Sequence, residues 1–324
     1  MAIRPRIAVA ASGGRDSTAL LHLTARQAQG GALQVWALHV HHGLMPQADA
    51  WLKQLQAQCA RWARRGLPVH FKAHRLTGAP SKGESVEAWA RRERYAALTR
   101  MAQEEGIDTV LLAHHRRDQA ETVLLQALRG AGAAGLAGMP KEVTRSGIRW
   151  IRPWLDMPRE AIDAYVKTHR LRCVDDQSNV DPRFARSRLR LQVWPHLVEA
   201  FAQAEVALTG AAKRLHEADV CAQVLAQMDA ATCLAPRERG SDPTLHISAW
   251  RALVPERQAN VLRHWLKPLM PQGVPDSLVR RLLEELPQAR GGAQWPAPQG
   301  ALRVLRGHLV PMLRRNNGED PALE

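Results

Sequence analysis

The stretch SGGRDS at residues 12–17 lies between an apolar run, IAVAA at residues 7–11, and a helical pattern, TALLHLTARQA at residues 18–28. This order predicts a strand that enters a Gly-Gly turn and leaves it as a helix. Such a turn aims free backbone N–H groups and the positive end of the helix dipole at one point, where phosphate can bind. The alternative is a glycine-rich turn that only reverses the chain. We predict a nucleotide site in this loop.

The loop differs from the Walker A sequence, in which a lysine precedes the final Ser or Thr. Here Asp16 precedes Ser17. A carboxylate at this position repels phosphate unless a Mg²⁺ ion lies between them. The sequence therefore predicts that Asp16 binds Mg²⁺ together with the nucleotide.

Apolar and helical segments alternate through the first part of the chain. The apolar segments are 7–11, 33–40, 67–71 and 108–113, and the helical patterns are 17–29, 47–65, 84–105 and 118–129. This alternation predicts an α/β fold, a parallel sheet with helices on both faces. Ligands bind such sheets at the carboxyl ends of the strands. SGGRDS, HVHHGL (39–44) and AHHRRD (113–118) all follow strands, so we expect them to meet in one crevice.

The rest of the chain predicts a second, smaller region. Residues 130–147 are rich in Gly and Ala and predict a loop over the site, and the apolar spacing from 198 to about 229 predicts one long linker helix. After a break at 235–243, two helical patterns precede a hairpin that turns at Gly307. The expected divisions are a catalytic domain at 1–197, a linker at 198–240, a small, mostly helical C-terminal domain at 241–316 and a tail at 317–324.

The chain of 324 residues carries a net charge of +14, which indicates an acidic partner. Residues 1–199 hold 30 Lys and Arg against 18 Asp and Glu, so the positive charge is concentrated there. The arginines at 183, 186, 188 and 190 either line a path for a phosphate backbone or form a solvated helix face.

The four cysteines show no CxxC spacing, which argues against a zinc site or a disulfide framework. No apolar run approaches the roughly 18 residues of a membrane span. The first strand begins within a few residues of the N-terminus and leaves no room for a signal peptide. We expect a cytoplasmic protein with no membrane partner.

Several motifs, in order, resemble the tRNA(Ile)-lysidine synthetases, a family of N-type ATP pyrophosphatases. They are SGGRDS, HVHHGL, SVEAWARRERYAAL (85–98), AHHRRDQAET (113–122), IRPWLDMPREAI (151–162) and VDDQSNVDPRFARSRLR (174–190). The resemblance implies that ATP, with Mg²⁺, adenylates C2 of the wobble cytidine in a CAU-anticodon isoleucine tRNA. The side-chain amine of lysine then displaces AMP to give lysidine. A monomer and a homodimer both stay open.

The resemblance also implies roles for individual residues. ATP would be bound by Ser12, Gly13, Gly14, Arg15, Asp16, Ser17 and His41, although His41 is equally typical of a structural histidine at a strand end. Asp118 and Glu121 would bind lysine and take its proton, and His114 would orient the cytidine. The alternative for the two acids is a match to the helix dipole. Phosphate or tRNA contacts would come from Arg91, Arg94, Arg183, Arg186 and Arg190, and the alternative for Arg91 and Arg94 is ion pairing with Glu87 or Glu93.

Two positions depart from the family pattern. The family usually has Asp before the Asp118 position, where this chain has Arg117, and Asn where this chain has Ser187. Arg117 either pairs with Asp118 and lowers its basicity or points to solvent. The region after the linker is expected to hold one C-terminal module where family members often have two. A cytidine-thiolating or other tRNA-modifying relative, and a tRNA-binding protein without catalysis, are the alternative functions.

Overall fold

The computed structural model describes residues 4–41, 43, 47–81, 83, 85–174, 181–235, 242–270, 273–298 and 300–313. They fall into two compact units, which divide between His216 and Glu217. The predicted tail at 317–324 lies outside the described residues, as does most of the predicted break at 235–243.

The first unit alternates strands and helices as the sequence predicts. The strands are β1 (Arg6–Ala10), β2 (Gln34–His41), β3 (Val69–Arg75), β4 (Thr109–Leu111), β5 (Glu142–Arg145) and β6 (Ile148–Ile151). The helices are α1 (Arg15–Gln27), α2 (Ala48–Arg64), α3 (Val86–Glu104), α4 (Arg116–Leu128), α5 (Ala133–Leu136), α6 (Arg159–Thr168), α7 (Ala185–Arg188), α8 (Trp194–Ala200) and α9 (Ala204–Cys233). Helix α9 continues into the second unit.

The six strands form one sheet in the order β3-β2-β1-β4-β6-β5. All neighbours are parallel except β5 and β6. The chain moves outward from β1 to β2 and β3, and then returns to place β4 on the other side of β1. A parallel sheet opens a crevice where its strand order reverses in this way, at the carboxyl ends of the strands. The crevice therefore lies beside the ends of β1 and β4.

Both faces of the sheet are buried, because alternate residues of the central strands point to opposite sides. Val9 and Val35 pack with Leu21 of α1 and Leu55 of α2 on one face. On the other face Ala8 and Val110 pack against α3, with Trp150. Helices on both faces agree with the predicted fold class.

Two predicted segments differ from the structure. Residues 130–147 are not only a loop, since they include the short helix α5 and strand β5, whose residues pair with β6 across a turn at Ser146 and Gly147. The predicted single linker helix begins later, at Ala204, because the backbone of Phe201 leaves the helical region after α8. Neither glycine nor proline marks that break in the sequence.

The second unit combines short helices with a four-stranded antiparallel sheet. Its helices are α10 (Ile247–Arg251), α11 (Pro255–Leu266) and α12 (Asp276–Glu285), and its strands are β7 (Leu245–His246), β8 (Gln294–Ala297), β9 (Gly300–Leu305) and β10 (His308–Leu313). The sheet order is β7-β10-β9-β8, and β9 and β10 form the hairpin predicted at Gly307. Trp250, Trp265 and Trp295 lie in its buried core.

Candidate active site

The SGGRDS loop connects β1 to α1 at the crevice. Gly13 has a φ of +86°, a conformation that side chains with a Cβ rarely adopt. Ser12 Oγ lies 2.9 Å from Ser17 Oγ and accepts from the Gly14 N–H at 3.3 Å, and Thr18 donates to the Gly13 carbonyl at 3.1 Å. These bonds fix the loop while the start of α1 faces the crevice. The loop can therefore receive phosphate oxygens on backbone N–H groups and the helix dipole.

Asp16, in the first turn of α1, approaches the start of α4 through a histidine. His115 Nε2 lies 3.8 Å from Asp16 Oδ2 and 3.4 Å from Asp118 Oδ2. Burial raises the pKa of Asp16, with neighbouring carboxylates adding to the effect and His115 opposing it. Its Oδ1 is buried without a hydrogen-bond partner among the described residues. An electron-rich oxygen left in this way suits a cation, and Mg²⁺ commonly uses one protein carboxylate together with phosphates and water.

Asp118 and Glu121 lie one helical turn apart on α4 and share a guanidinium. Arg190 donates from Nη2 to Asp118 Oδ1 and from Nε to Glu121 Oε1, each at 2.7 Å. Burial opposes the ionisation of Asp118, but His115, His114 and Arg190 outweigh it and lower its pKa. Glu121 has no exposed surface, and its Oε2 has no hydrogen-bond partner in the described part of the chain. This oxygen instead lies within ion-pair distance of Arg186, 3.8 Å from its Nε.

Arg190 reaches α4 from a π-helical turn at Leu189–Val193, between α7 and α8. A π turn changes the angular spacing of side chains and is common at functional sites. Arg186, one turn earlier, donates to Thr122 Oγ1 at 2.7 Å and lies 3.8 Å from Glu121 Oε2. Two of the five arginines predicted to contact phosphate or tRNA, Arg186 and Arg190, therefore face the carboxylate pair. No sequence signal distinguished this arrangement from an exposed basic helix.

His114 and Arg94 add two polar groups to the same region. Burial lowers the pKa of His114 to about 3, so its imidazole is neutral near pH 7. Its Nδ1 is buried without a partner among the described residues. Burial also lowers the pKa of the half-buried Arg94, with the nearby Arg91 charge contributing, and no described carboxylate pairs with Arg94. An uncompensated guanidinium and a neutral imidazole can both bind an anionic or polar ligand.

The neighbouring strand ends hold two histidines in place. His41 Nε2, at the end of β2, lies 3.1 Å from Asp49 Oδ1, and its Nδ1 accepts from the Gly43 N–H. His39 was not among the predicted site residues. Its Nδ1 lies 2.8 Å from the carbonyl oxygen of Ala11. These contacts fit the structural alternative for His41 and leave its predicted role at ATP untested. His42 of the same motif lies outside the described residues.

The remaining predicted contacts point in other directions. Arg15 pairs with Asp163 of α6 at 2.8 Å, Arg91 lies over the Tyr95 ring, and Arg183 pairs with Asp181 at 2.7 Å. The middle of the VDDQSNVDPRFARSRLR motif, residues 175–180, lies outside the described residues.

Arg117 neither pairs with Asp118 nor points freely to solvent, the two alternatives that the sequence left open. Its Nε lies 3.5 Å from Glu205 Oε2 at the start of α9, its Nη2 lies 3.9 Å from Glu160, and its guanidinium covers the Trp194 ring at 5.4 Å. The side chain is one-quarter exposed. The other departure, Ser187, is buried.

Comparison with known proteins agrees with this geometry. A family model described as a PP-loop domain matches residues 2–197, and a model described as the TilS substrate binding domain matches residues 245–310. The fold is also similar to a solved structure, the U34-tRNA thiolase NcsA from Methanococcus maripaludis with its [4Fe-4S] cluster. That likeness has a TM-score of 0.53 at 17% identity and covers 66% of this chain and 73% of the thiolase chain, so it shows the fold alone.

Curated relatives with the name tRNA(Ile)-lysidine synthase match most of the chain. The Ralstonia nicotianae protein is 43% identical over 264 residues, which are 81% of this chain and 54% of the relative. The chain thus spans about half the length of that relative. The Bordetella pertussis protein is 41% identical, with 81% and 80% covered, and the Polaromonas naphthalenivorans protein is 37% identical, with 94% and 86% covered. With the PP-loop geometry and both family models, these matches show that the chain belongs to the tRNA(Ile)-lysidine synthase family.

Proposed function

We propose that this protein joins lysine to C2 of the wobble cytidine in a CAU-anticodon isoleucine tRNA at the expense of ATP. AMP and pyrophosphate are released, and an adenylated tRNA is the intermediate. The observation that carries the proposal is the meeting of Asp16 of the PP-loop with Asp118 around His115, with Glu121 one turn further along α4. This arrangement sets an ATP-binding loop beside a carboxylate pair that can receive an amine.

Adenylation requires the α-phosphate of ATP to meet the C2 oxygen of the cytidine. The backbone of residues 12–17 would bind the β- and γ-phosphates at the N-terminus of α1. Asp16 would hold Mg²⁺, which when bound neutralises phosphate charge and favours departure of pyrophosphate. Arg94, with no described carboxylate partner, would stabilise negative charge on the α-phosphate. His114, which is neutral at physiological pH, would form a neutral hydrogen bond with the cytidine and would not present a positive charge to it.

The second half-reaction requires a neutral lysine amine, because an ammonium has no lone pair for attack. Arg190 and Arg186 already balance much of the charge of Asp118 and Glu121. A carboxylate pair balanced in this way stabilises an ammonium less than a bare pair does. As the amine forms its bond to C2 and AMP leaves with the electrons of the C2–O bond, Glu121 Oε2 would accept the proton that the amine loses. Glu121 Oε2, which accepts no hydrogen bond from the described residues, supports this role.

Two of the four cysteines offer little to the alternative cytidine-thiolating function, whereas Cys173 is half-buried and Cys221 is exposed. Burial raises the pKa of the Cys59 thiol to about 12, and Cys233 is also buried. A buried thiol with a raised pKa forms little of the reactive thiolate.

Pyrophosphate release from ATP tests the proposal, measured with a CAU isoleucine transcript in the presence and absence of lysine. We expect release with the transcript and formation of lysidine only when lysine is added. Release coupled to another nucleophile would favour a different tRNA modification. No release, with the transcript still bound, would favour a protein that only binds tRNA.

Asp16→Ala provides the loop-specific prediction. Loss of the metal carboxylate should abolish pyrophosphate release and leave tRNA affinity within about twofold, because Asp16 contacts no backbone phosphate of the tRNA in this proposal. Asp108→Ala, which removes an exposed acid just before β4, at the end of the strand away from the crevice, is the control. Normal turnover by Asp16→Ala would contradict the assignment of the loop.

A further inference from the structure

A second polar cavity of about 580 Å³ lies within the first unit. Its lining comes from the C-terminal parts of α1 and α2 and from the residues that follow α6. The PP-loop is at the opposite end of α1. Arg26 is 11 residues beyond Arg15, which corresponds to roughly 16 Å along the helix axis. The cavity is therefore separate from the nucleotide crevice.

Five arginines line this cavity: Arg26, Arg61, Arg65, Arg170 and Arg172. Neither Asp nor Glu is part of the lining, and within the described residues none of the five forms an ion pair with a carboxylate. Arg26 instead approaches the His169 ring at 3.5 Å. Guanidinium groups crowded in this way repel one another unless an anion lies between them.

Helix dipoles account for only part of this charge. Each helix C-terminus carries about half a negative charge, so three such ends offer about −1.5 against five guanidinium groups. Arg170 and Arg172 also lie beyond the last turn of α6. The excess indicates a site for an anion with more than one negative charge.

The floor of the cavity is ordered and buried. His22 Nδ1 lies 2.9 Å from the Tyr165 hydroxyl, and the His22 ring packs at 5.0 Å from the Trp62 ring. Burial lowers the pKa of His22 to about 4, with His169 and Arg26 contributing, so the floor is uncharged near pH 7. Gln58 is also buried there. A buried, uncharged floor with a cationic rim matches the needs of phosphate binding, because the guanidinium fork bonds two phosphate oxygens at once.

We propose that this cavity binds the phosphate groups of a multiply charged ligand, at a site independent of the ATP crevice. The ligand is either a free polyphosphate or nucleotide, or consecutive phosphates of an RNA backbone. Both present closely spaced anionic oxygens to the same arginines.

The test uses the full chain with the crevice filled by saturating α,β-methylene ATP. Tripolyphosphate is titrated by calorimetry, and a 12-nucleotide single-stranded RNA is titrated by fluorescence anisotropy. The variant Arg26→Gln/Arg65→Gln removes two exposed cavity arginines, and Arg4→Gln/Arg64→Gln removes the same charge from exposed positions outside the lining.

We expect the cavity variant to weaken tripolyphosphate or RNA binding at least tenfold and the control variant to weaken it less than threefold. Loss of tripolyphosphate binding alone identifies a small phosphate ligand, and loss of RNA binding identifies the RNA backbone. Equal losses in the two variants, or unchanged binding of both probes in the cavity variant, would overturn the proposal. Circular dichroism checks that both variants are folded.

Discussion

Glu121 contributes its carboxylate to the candidate site from a position with no solvent exposure. Such a charge persists only because other groups compensate it, here Arg190 at 2.7 Å and Arg186 at 3.8 Å. Asp118 and Glu121 share one face of α4, as residues three apart on a helix do, and the sequence placed both in one helical pattern. It could not predict the arginine between them, since that contact joins residues 69 and 72 positions apart.

Glu121→Gln should lower kcat, because an amide cannot take the proton of the amine, and should raise the KM for lysine at least tenfold and that for ATP less than threefold. Asp118→Asn should act in the same direction. Steady-state kinetics with each substrate varied in turn measures both effects. Glu142→Gln, which removes an exposed carboxylate of β5, is the control. Equal changes in the two KM values would assign these acids to the fold or the metal.

His114 should make stability depend on pH. Its folded pKa of about 3 lies below the unfolded value of 6.5, so between these values the unfolded state binds the extra proton. Stability is therefore lost as pH falls below about 6.5, at up to roughly 1.4 kcal/mol per pH unit. Urea unfolding at pH 7 and pH 5 should show a larger loss for the wild type than for His114→Asn. Parallel losses would show that His114 is protonated equally in both states.

Helix α4, which carries the carboxylate pair, is held in place by ion pairs with a neighbouring helix. Its first turn carries Arg116 and Arg117, and both pair with Glu205 at the start of α9, Arg116 at 2.8 Å and Arg117 at 3.5 Å. The same helix presents Asp118 and Glu121 to the crevice. The start of α9 thus fixes the position of the carboxylate pair.

The elements that the sequence predicted well are those with local signals. The strand, turn and helix around SGGRDS and the hairpin at Gly307 each have apolar periodicity bounded by glycine. Strand β5 was missed because EVTR is short and follows a Gly-rich run, and its pairing with β6 supplies the stability that its own residues lack. The π turn around Arg190 has no local signature either.

Arg117→Asp should destabilise the first unit by about 1–2 kcal/mol. The substitution removes an ion pair and a cation–π contact and puts a negative charge near the two acids that now face Arg117. Lysidine formation well below the melting temperature should change by less than threefold, since Arg117 lies on Glu205 and Trp194 and away from the carboxylate pair. Urea unfolding and a turnover assay measure the two effects. A tenfold gain in rate would instead mean that Arg117 restrains Asp118.

The whole molecule has separate hydrophobic cores in its two units. The clusters around Val9 and Val110 belong to the first unit, and the cluster around Trp250, Trp265 and Trp295 belongs to the second. Within the described residues, no helix is long and apolar enough to cross a bilayer. The sequence predicted one hairpin of the second unit, at Gly307, but not its four-stranded antiparallel sheet.

Leu262→Ala should lower the stability of the second unit by about 2–5 kcal/mol, because Leu262 is fully buried in that core. ATP-analogue binding in the first unit should be unchanged. Hydrogen exchange resolved by segment distinguishes the units, with faster exchange expected in residues 245–313 and not in β1 to β4. Equal acceleration in both units would show that the two cores unfold together.

The pairing of Arg117 with Glu205 also constrains which residues can occur together at these two positions during evolution. An aspartate at position 117, the usual residue in the resembled family, would remove the attraction to Glu205 and leave a like charge in its place, farther away because the side chain is shorter. The two codons are therefore expected to change together, and lineages with aspartate at 117 should carry a neutral or basic residue at 205. In this chain Arg117 and Glu205 are in contact although they lie 88 positions apart in sequence, and we expect the two positions to vary together.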